Sequence, residues 1–67
     1  MKEVTPTDAQ KFWIFIETNN PEIAIQLKNR QIINGSIICF QPKTMTDNDF
    51  EKYETLLSIW YTDNGFK

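Results

Sequence analysis

The residues of this chain that could take part in chemistry are one thiol, Cys39, and three nearby carboxylates, Asp47, Asp49 and Glu51. A thiol becomes a nucleophile when a neighbouring base or cation lowers its pKa, and paired carboxylates can share general acid and base roles. The sequence contains no histidine, so the usual partner of a catalytic cysteine or serine is missing. We therefore predict that the chain is not an enzyme and has no catalytic residues.

The same inventory excludes the common cofactor and metal sites. A single cysteine without histidine does not complete a closed zinc site, and it forms no internal disulfide. The two glycines, Gly35 and Gly65, are too far apart to form a phosphate-binding loop. The carboxylates after Thr46 lack the glycine and the bidentate glutamate of a calcium loop. We predict no cofactor, no metal and no small-molecule substrate.

The start of a helix explains two of the carboxylates. Thr46 and Asp49 have the spacing of a capping box, and Asp47 lies in the first turn, where the helix dipole favours negative charge. Gly65 can end the helix in a left-handed conformation. Apolar residues between these signals recur on one face, so we predict an amphipathic helix over 47–62. Its apolar stripe comprises Phe50, Tyr53, Leu57, Trp60 and Tyr61.

A second helix start lies near the beginning of the chain. Thr5 is a suitable N-cap, Pro6 suits the first helical position and Asp8 suits the first turn. We predict a helix over 6–18, although the aromatic and β-branched residues of 13–17 also fit a strand. Its broad apolar face carries Ala9, Phe12, Trp13, Phe15 and Ile16.

The middle of the chain has two interpretations. Asn20 followed by Pro21 is a helix-start signal, which favours a helix over 21–33. The paired isoleucines on both sides of Asn34-Gly35 are typical of a β-hairpin instead. In either case 36–41 is rich in β-forming residues and is predicted to be a short extended segment.

These elements predict one small domain, spanning residues 1–67, of the mainly α class. We expect a three-helix domain (6–18, 21–33 and 47–62) with an extended segment at 36–41. The alternative is an α+β domain with a hairpin around Asn34-Gly35.

The predicted core does not absorb all the large apolar side chains of this short chain. A contiguous exposed apolar patch usually marks an interface, and tryptophan is a frequent anchor there. We therefore predict a protein interface that includes Ile14, Ile25, Ile32, Ile59 and Trp60.

The charge distribution weighs against nucleic acid as a partner. The net charge is −2 and the seven basic residues are dispersed along the chain, whereas affinity for nucleic acid depends on clustered phosphate contacts. A helix-turn-helix DNA-binding protein is therefore only a third interpretation. The second is a small acidic regulator or inhibitor that blocks a partner, based on the acidic side chains of 47–54.

The first hypothesis is a small non-catalytic subunit for protein–protein interaction or assembly. We expect an adaptor or structural component of a larger bacterial or viral complex, which binds a protein partner or associates with itself. The beginning of the chain lacks a signal-peptide pattern and no apolar run is long enough to span a bilayer. We therefore expect no membrane partner and an intracellular location, including the interior of a virion or other assembly.

Overall fold

A computed structural model describes residues 2–66, which form three helices and one short hairpin. The elements are α1 (Pro6–Asn19), α2 (Pro21–Gln26), β1 (Gln31–Ile33), β2 (Ser36–Ile38) and α3 (Asp47–Asn64). The two strands pair antiparallel in a two-stranded sheet. The predicted fold class, a small mainly α domain with a short extended segment, is confirmed.

Helix α1 begins where its capping residues predict. The Thr5 hydroxyl oxygen accepts a hydrogen bond from the Asp8 amide at 3.2 Å, and the Thr5 amide donates to the Asp8 carboxylate at 3.1 Å. These two bonds form a reciprocal capping box, and Pro6 occupies the first turn. The hydrogen bonds from Thr5 lower the pKa of the Asp8 carboxyl, because they favour its charged form.

Helix α2 begins at Pro21 as predicted, but it ends at Gln26, and the predicted extension to residue 33 is wrong. Leu27 is already extended, with φ −82° and ψ 114°. The Arg30 guanidinium group donates to the carbonyls of Ala24 at 3.0 Å and Leu27 at 3.2 Å. In a longer helix, these carbonyls would accept hydrogen bonds from backbone amides of later residues. Here the Arg30 side chain supplies hydrogen bonds to them instead. The early end leaves the following residues for the hairpin.

The hairpin around Asn34-Gly35, predicted as the alternative, is present. Asn34 has φ 52° and Gly35 has φ 74°, the left-handed pair that a two-residue hairpin turn requires. Three facing pairs define the register: Gln31 with Ile38, Ile32 with Ile37, and Ile33 with Ser36. Strand β2 covers the first half of the predicted extended segment, 36–41.

Helix α3 starts and ends at the predicted signals. The Asp49 amide donates to the Thr46 hydroxyl oxygen at 3.2 Å, and Gly65 takes the left-handed conformation at the C-terminus. The helix continues to Asn64, two residues beyond the predicted end at 62.

An aromatic cluster centred on Phe12 holds α1 against α3. The Phe12 side chain is fully buried, and its ring centroid lies 4.9 Å from that of Trp13, 5.2 Å from that of Trp60 and 6.2 Å from that of Tyr53. Burial of such side chains contributes roughly 2–3 kcal/mol each. The hairpin adds Ile37 to the same core. The remaining buried members are Val4, Ala9, Ile16, Ile23, Ala24, Leu27, Cys39, Met45 and Phe66.

Two further results concern residues 2–66 as a group. No helix there combines the length and hydrophobicity needed to cross a membrane. The described residues also contain no group of three histidine, cysteine or acidic side chains placed to hold a metal ion.

The two glycines allow a matched test of the hairpin turn. Both have φ 74°, so alanine at either position costs about 1 kcal/mol in backbone strain. A Cβ at Gly35 would also lie 2.5–2.7 Å from Glu3 side-chain atoms, whereas one at Gly65 meets no atom within 4 Å. Gly35→Ala should lower the free energy of unfolding by roughly 3 kcal/mol and Gly65→Ala by about 1 kcal/mol. Urea denaturation measures both values, and equal losses would contradict the packing of Glu3 against the turn.

Candidate protein-binding surface

Six large apolar side chains are exposed among the described residues, and four of the five predicted interface residues are among them. Ile25 is the most exposed at 78%, while Ile14, Ile59 and Ile32 are 59%, 46% and 36% exposed. The remaining two, which the sequence analysis missed, are Ile33 and Phe40. Exposed apolar side chains that lie together on one surface are typical of an interface.

Trp60, the fifth predicted interface residue, is not exposed on this surface. Its side chain is 7% exposed and lies in the core. The Phe66 ring stacks on it with centroids 4.8 Å apart, and the Phe12 ring contacts it from α1 at 5.2 Å. Phe66 lies beyond Gly65, the residue that ends α3. The apolar periodicity of α3 therefore does not show that Phe66 covers Trp60.

A groove of about 530 Å³ lies between α1 and β1. Gln31 and Ile32 both line it, although consecutive strand residues point to opposite faces of a sheet. The groove therefore runs along the edge of β1 rather than over one face of the hairpin. We call it the α1–β1 groove, and its lining is Pro6, Thr7, Ala9, Gln10, Trp13, Arg30, Gln31 and Ile32.

Arg30 connects this groove with a second one. Its guanidinium carbon lies 4.1 Å from the centroid of the Trp13 ring, a cation–π contact that attaches the start of the hairpin to α1. The second groove lies between α1 and α2 and is lined by Glu17, Pro21, Ala24, Ile25 and Arg30. Because both grooves share Arg30, they form one continuous surface.

Three of the predicted residues border this surface. Ile32 lines the first groove and Ile25 lines the second. Ile14 is four residues after Gln10 and three before Glu17, so it lies on the same side of α1 as these two groove residues. We call Ile14, Ile25 and Ile32 the isoleucine face.

Ile59 lies on another surface. It follows Thr55 by four residues and therefore continues the same side of α3. Thr55 lines a third groove, between α3 and the end of α1, together with Asn19, Asn20, Asn48, Glu51, Lys52 and Leu56. Helical spacing identified Ile59 as exposed, but it could not separate the two surfaces.

The side chains that could take part in chemistry have structural roles. The Cys39 thiol is buried and donates to the Lys28 carbonyl oxygen at 3.1 Å. Burial raises its pKa, and the charge of Arg30 lowers it to a smaller extent. A buried thiol with a raised pKa is a poor nucleophile at neutral pH.

The acidic residues of α3 also make local contacts. The Asp47 carboxylate accepts from Gln41 Nε2 at 2.8 Å, and Asp49 pairs with Lys52 at 4.0 Å. An exposed pair of this kind contributes little to stability. These carboxylates form part of the start of α3 rather than a separate site.

No protein-family model, no curated protein and no solved structure matches this chain.

Two tyrosines give a matched test of the interior beside this surface. The Tyr53 ring stacks on Trp13, and its buried hydroxyl has no hydrogen-bond partner among residues 2–66. The Tyr61 hydroxyl accepts from the Ile37 amide at 2.7 Å. Removal of an unpaired hydroxyl is close to neutral, whereas loss of a hydrogen bond costs about 1 kcal/mol. Tyr53→Phe should therefore leave the free energy of unfolding unchanged or raise it, and Tyr61→Phe should lower it.

The pH dependence of stability provides the second measurement on Tyr53. Burial raises the pKa of this phenol well above its usual value of 10.0. Above pH 10 the unfolded chain loses the Tyr53 proton while the folded chain keeps it, so this group lowers stability as the pH rises. Urea denaturation between pH 9 and about 11 should show a smaller loss of stability for Tyr53→Phe than for the wild type. Equal losses would contradict the burial of this hydroxyl.

Proposed function

We propose that this chain is a small non-catalytic subunit that works through apolar protein–protein contacts, as an adaptor or assembly component. The observation that carries the proposal is the isoleucine face. Three large apolar side chains from α1, α2 and β1 remain exposed around two connected grooves, although the domain has a complete core.

The total accessible surface of the chain leaves room for an interface of standard size. The described chain exposes 4703 Å², and a standard interface covers about 800 Å² on each partner, roughly a sixth of that surface. An area of this size on a domain this small must draw on several elements. The isoleucine face does so, since it joins two helices and the edge of the hairpin.

The alternative role as an acidic regulator has less support. Of the acidic side chains on the first turns of α3, Asp47 and Asp49 are engaged by Gln41 and Lys52. A partner with a basic site would have to compete with these contacts. No such competition exists at Ile25, which is 78% exposed.

A charged residue at Ile25 tests the proposal, and Ile59 supplies the control. Ile25→Lys should change the free energy of unfolding by less than about 0.5 kcal/mol, because the side chain is exposed. It should nevertheless reduce binding of a hydrophobic dye, and it should weaken any self-association seen by light scattering across a concentration series. Ile59→Lys places the same charge on the other surface and should have a smaller effect on both measurements.

A pull-down from the native source distinguishes a partner from self-association. Proteins retained by the wild type and by Ile59→Lys, but lost with Ile25→Lys, would be partners of the isoleucine face. A stable monomer that binds neither dye nor protein would contradict the proposed function.

A further inference from the structure

We propose that the open edge of β1 binds an extended, apolar peptide segment of a partner protein, with a carboxylate of that segment placed at Arg30. This inference rests on the proposed function and names the kind of partner that the α1–β1 groove accepts. The hydrogen bonds of the hairpin, the position of the groove and its charge support it.

The register of the hairpin determines which backbone amides and carbonyls point away from the partner strand, toward the edge of the sheet. In a two-residue hairpin the residues next to the turn, Ile33 and Ser36, exchange both backbone hydrogen bonds. The next pair, Ile32 and Ile37, is therefore a non-hydrogen-bonded pair whose amides and carbonyls point away from the partner strand. The Ile37 amide confirms this geometry, because it donates outward to the Tyr61 hydroxyl.

The two edges of the hairpin consequently differ. The β2 edge is covered by α3, through Tyr61. On the β1 edge, none of the backbone hydrogen bonds that residues 2–66 make outside their helices and strands involves Ile32. All three residues of β1 are exposed, including Ile33 on the face opposite to Ile32. An exposed apolar edge of this kind is a template for another strand.

The α1–β1 groove lies where one added strand would pair with β1. It lies along this edge and is bounded on its far side by α1, with Ala9 and Trp13 among the lining residues. A second full copy of the chain would bring its own α1 against the same edge, since α1 flanks β1 in each copy. A single extended segment does not meet this obstruction, so the groove favours a peptide over self-pairing.

The charge of the groove specifies the segment further. Within the part of the chain that the structure describes, Arg30 is the only charged residue that lines it. The only ion pair within residues 2–66 joins Lys52 to Asp49, so Arg30 has no carboxylate partner there. In an antiparallel ladder, the residue two positions after the one opposite Ile32 faces Arg30. An acidic side chain at that position would pair with the guanidinium group, as cross-strand pairs of opposite charge do.

A defined peptide tests the assignment. The probe is Thr-Val-Ile-Thr-Glu with acetyl and amide caps and flanking Gly-Ser residues, so that its isoleucine faces Ile32 and its glutamate faces Arg30. Titration into the ¹⁵N-labelled chain should shift the amide resonances of 30–32 and of the α1 residues that line the groove. A peptide with lysine in place of glutamate should bind more weakly by a factor of about five or more, because repulsion between two positive charges replaces the ion pair.

Two proline variants distinguish loss of the β1 edge as a binding site from loss of the hairpin fold. Ile32→Pro removes an outward-pointing amide and leaves the hydrogen bonds within the hairpin in place, so it should abolish peptide binding while the chain stays folded. Ile33→Pro removes an inward-pointing amide and should disrupt the hairpin itself. Arg30→Met should weaken binding of the glutamate peptide and remove its advantage over the lysine peptide.

The result that would overturn the inference is an absence of shifts at 30–32, or shifts confined to α3. Resonance changes at Ile32 that depend on chain concentration without peptide would also overturn it, in favour of self-pairing. Either result, combined with a loss of partner binding in Ile25→Lys, would leave the proposed function standing without this inference.

Discussion

The contact between Arg30 and Trp13 joins the aromatic core to the hairpin, and the candidate surface depends on it. The guanidinium carbon lies 4.1 Å from the centroid of the Trp13 ring, and the group also donates to the carbonyls of Ala24, within α2, and Leu27, directly after it. One side chain therefore contacts the end of α2 and the Trp13 ring of α1, and it lines both grooves. Its planar fork makes the stacking and the two carbonyl bonds compatible with each other.

Much of the fold could be predicted from local signals. The starts of α1 and α3 and the end of α3 follow from Thr5, Thr46 and Gly65, because capping depends on residues that are neighbours in the sequence. The Asn34-Gly35 hairpin was visible for the same reason, although it ranked below a longer α2. That ranking was wrong: the chain is already extended at Leu27, and Arg30 donates to the carbonyls of Ala24 and Leu27, contacts that the helix-start signal at Asn20 and Pro21 does not reveal.

The candidate surface could be predicted only in part. Helical spacing correctly placed Ile14, Ile25 and Ile59 outside the core, since each lies away from the apolar stripe of its helix. It could not show that Phe66 covers Trp60, nor that Ile59 belongs to a separate groove. Such relations depend on how the elements pack, and the edge of β1 exists only once the hairpin has formed.

The exposure of β1 is the feature that most requires a functional explanation. Proteins commonly protect edge strands with charges, prolines or covering elements, and here β2 is protected by α3 while β1 is not. Its length of three residues limits uncontrolled pairing, yet it places an open backbone beside exposed isoleucines. A binding role for the β1 edge explains why it is left unprotected.

Amide hydrogen exchange of the isolated chain at low concentration tests this central claim most directly. The account predicts that the Ile32 amide exchanges rapidly, while the amides of Ile33 and Ile37 are protected by the hairpin and by Tyr61. Protection of the Ile32 amide equal to that of Ile33 would show that the edge is already covered, and it would contradict the account.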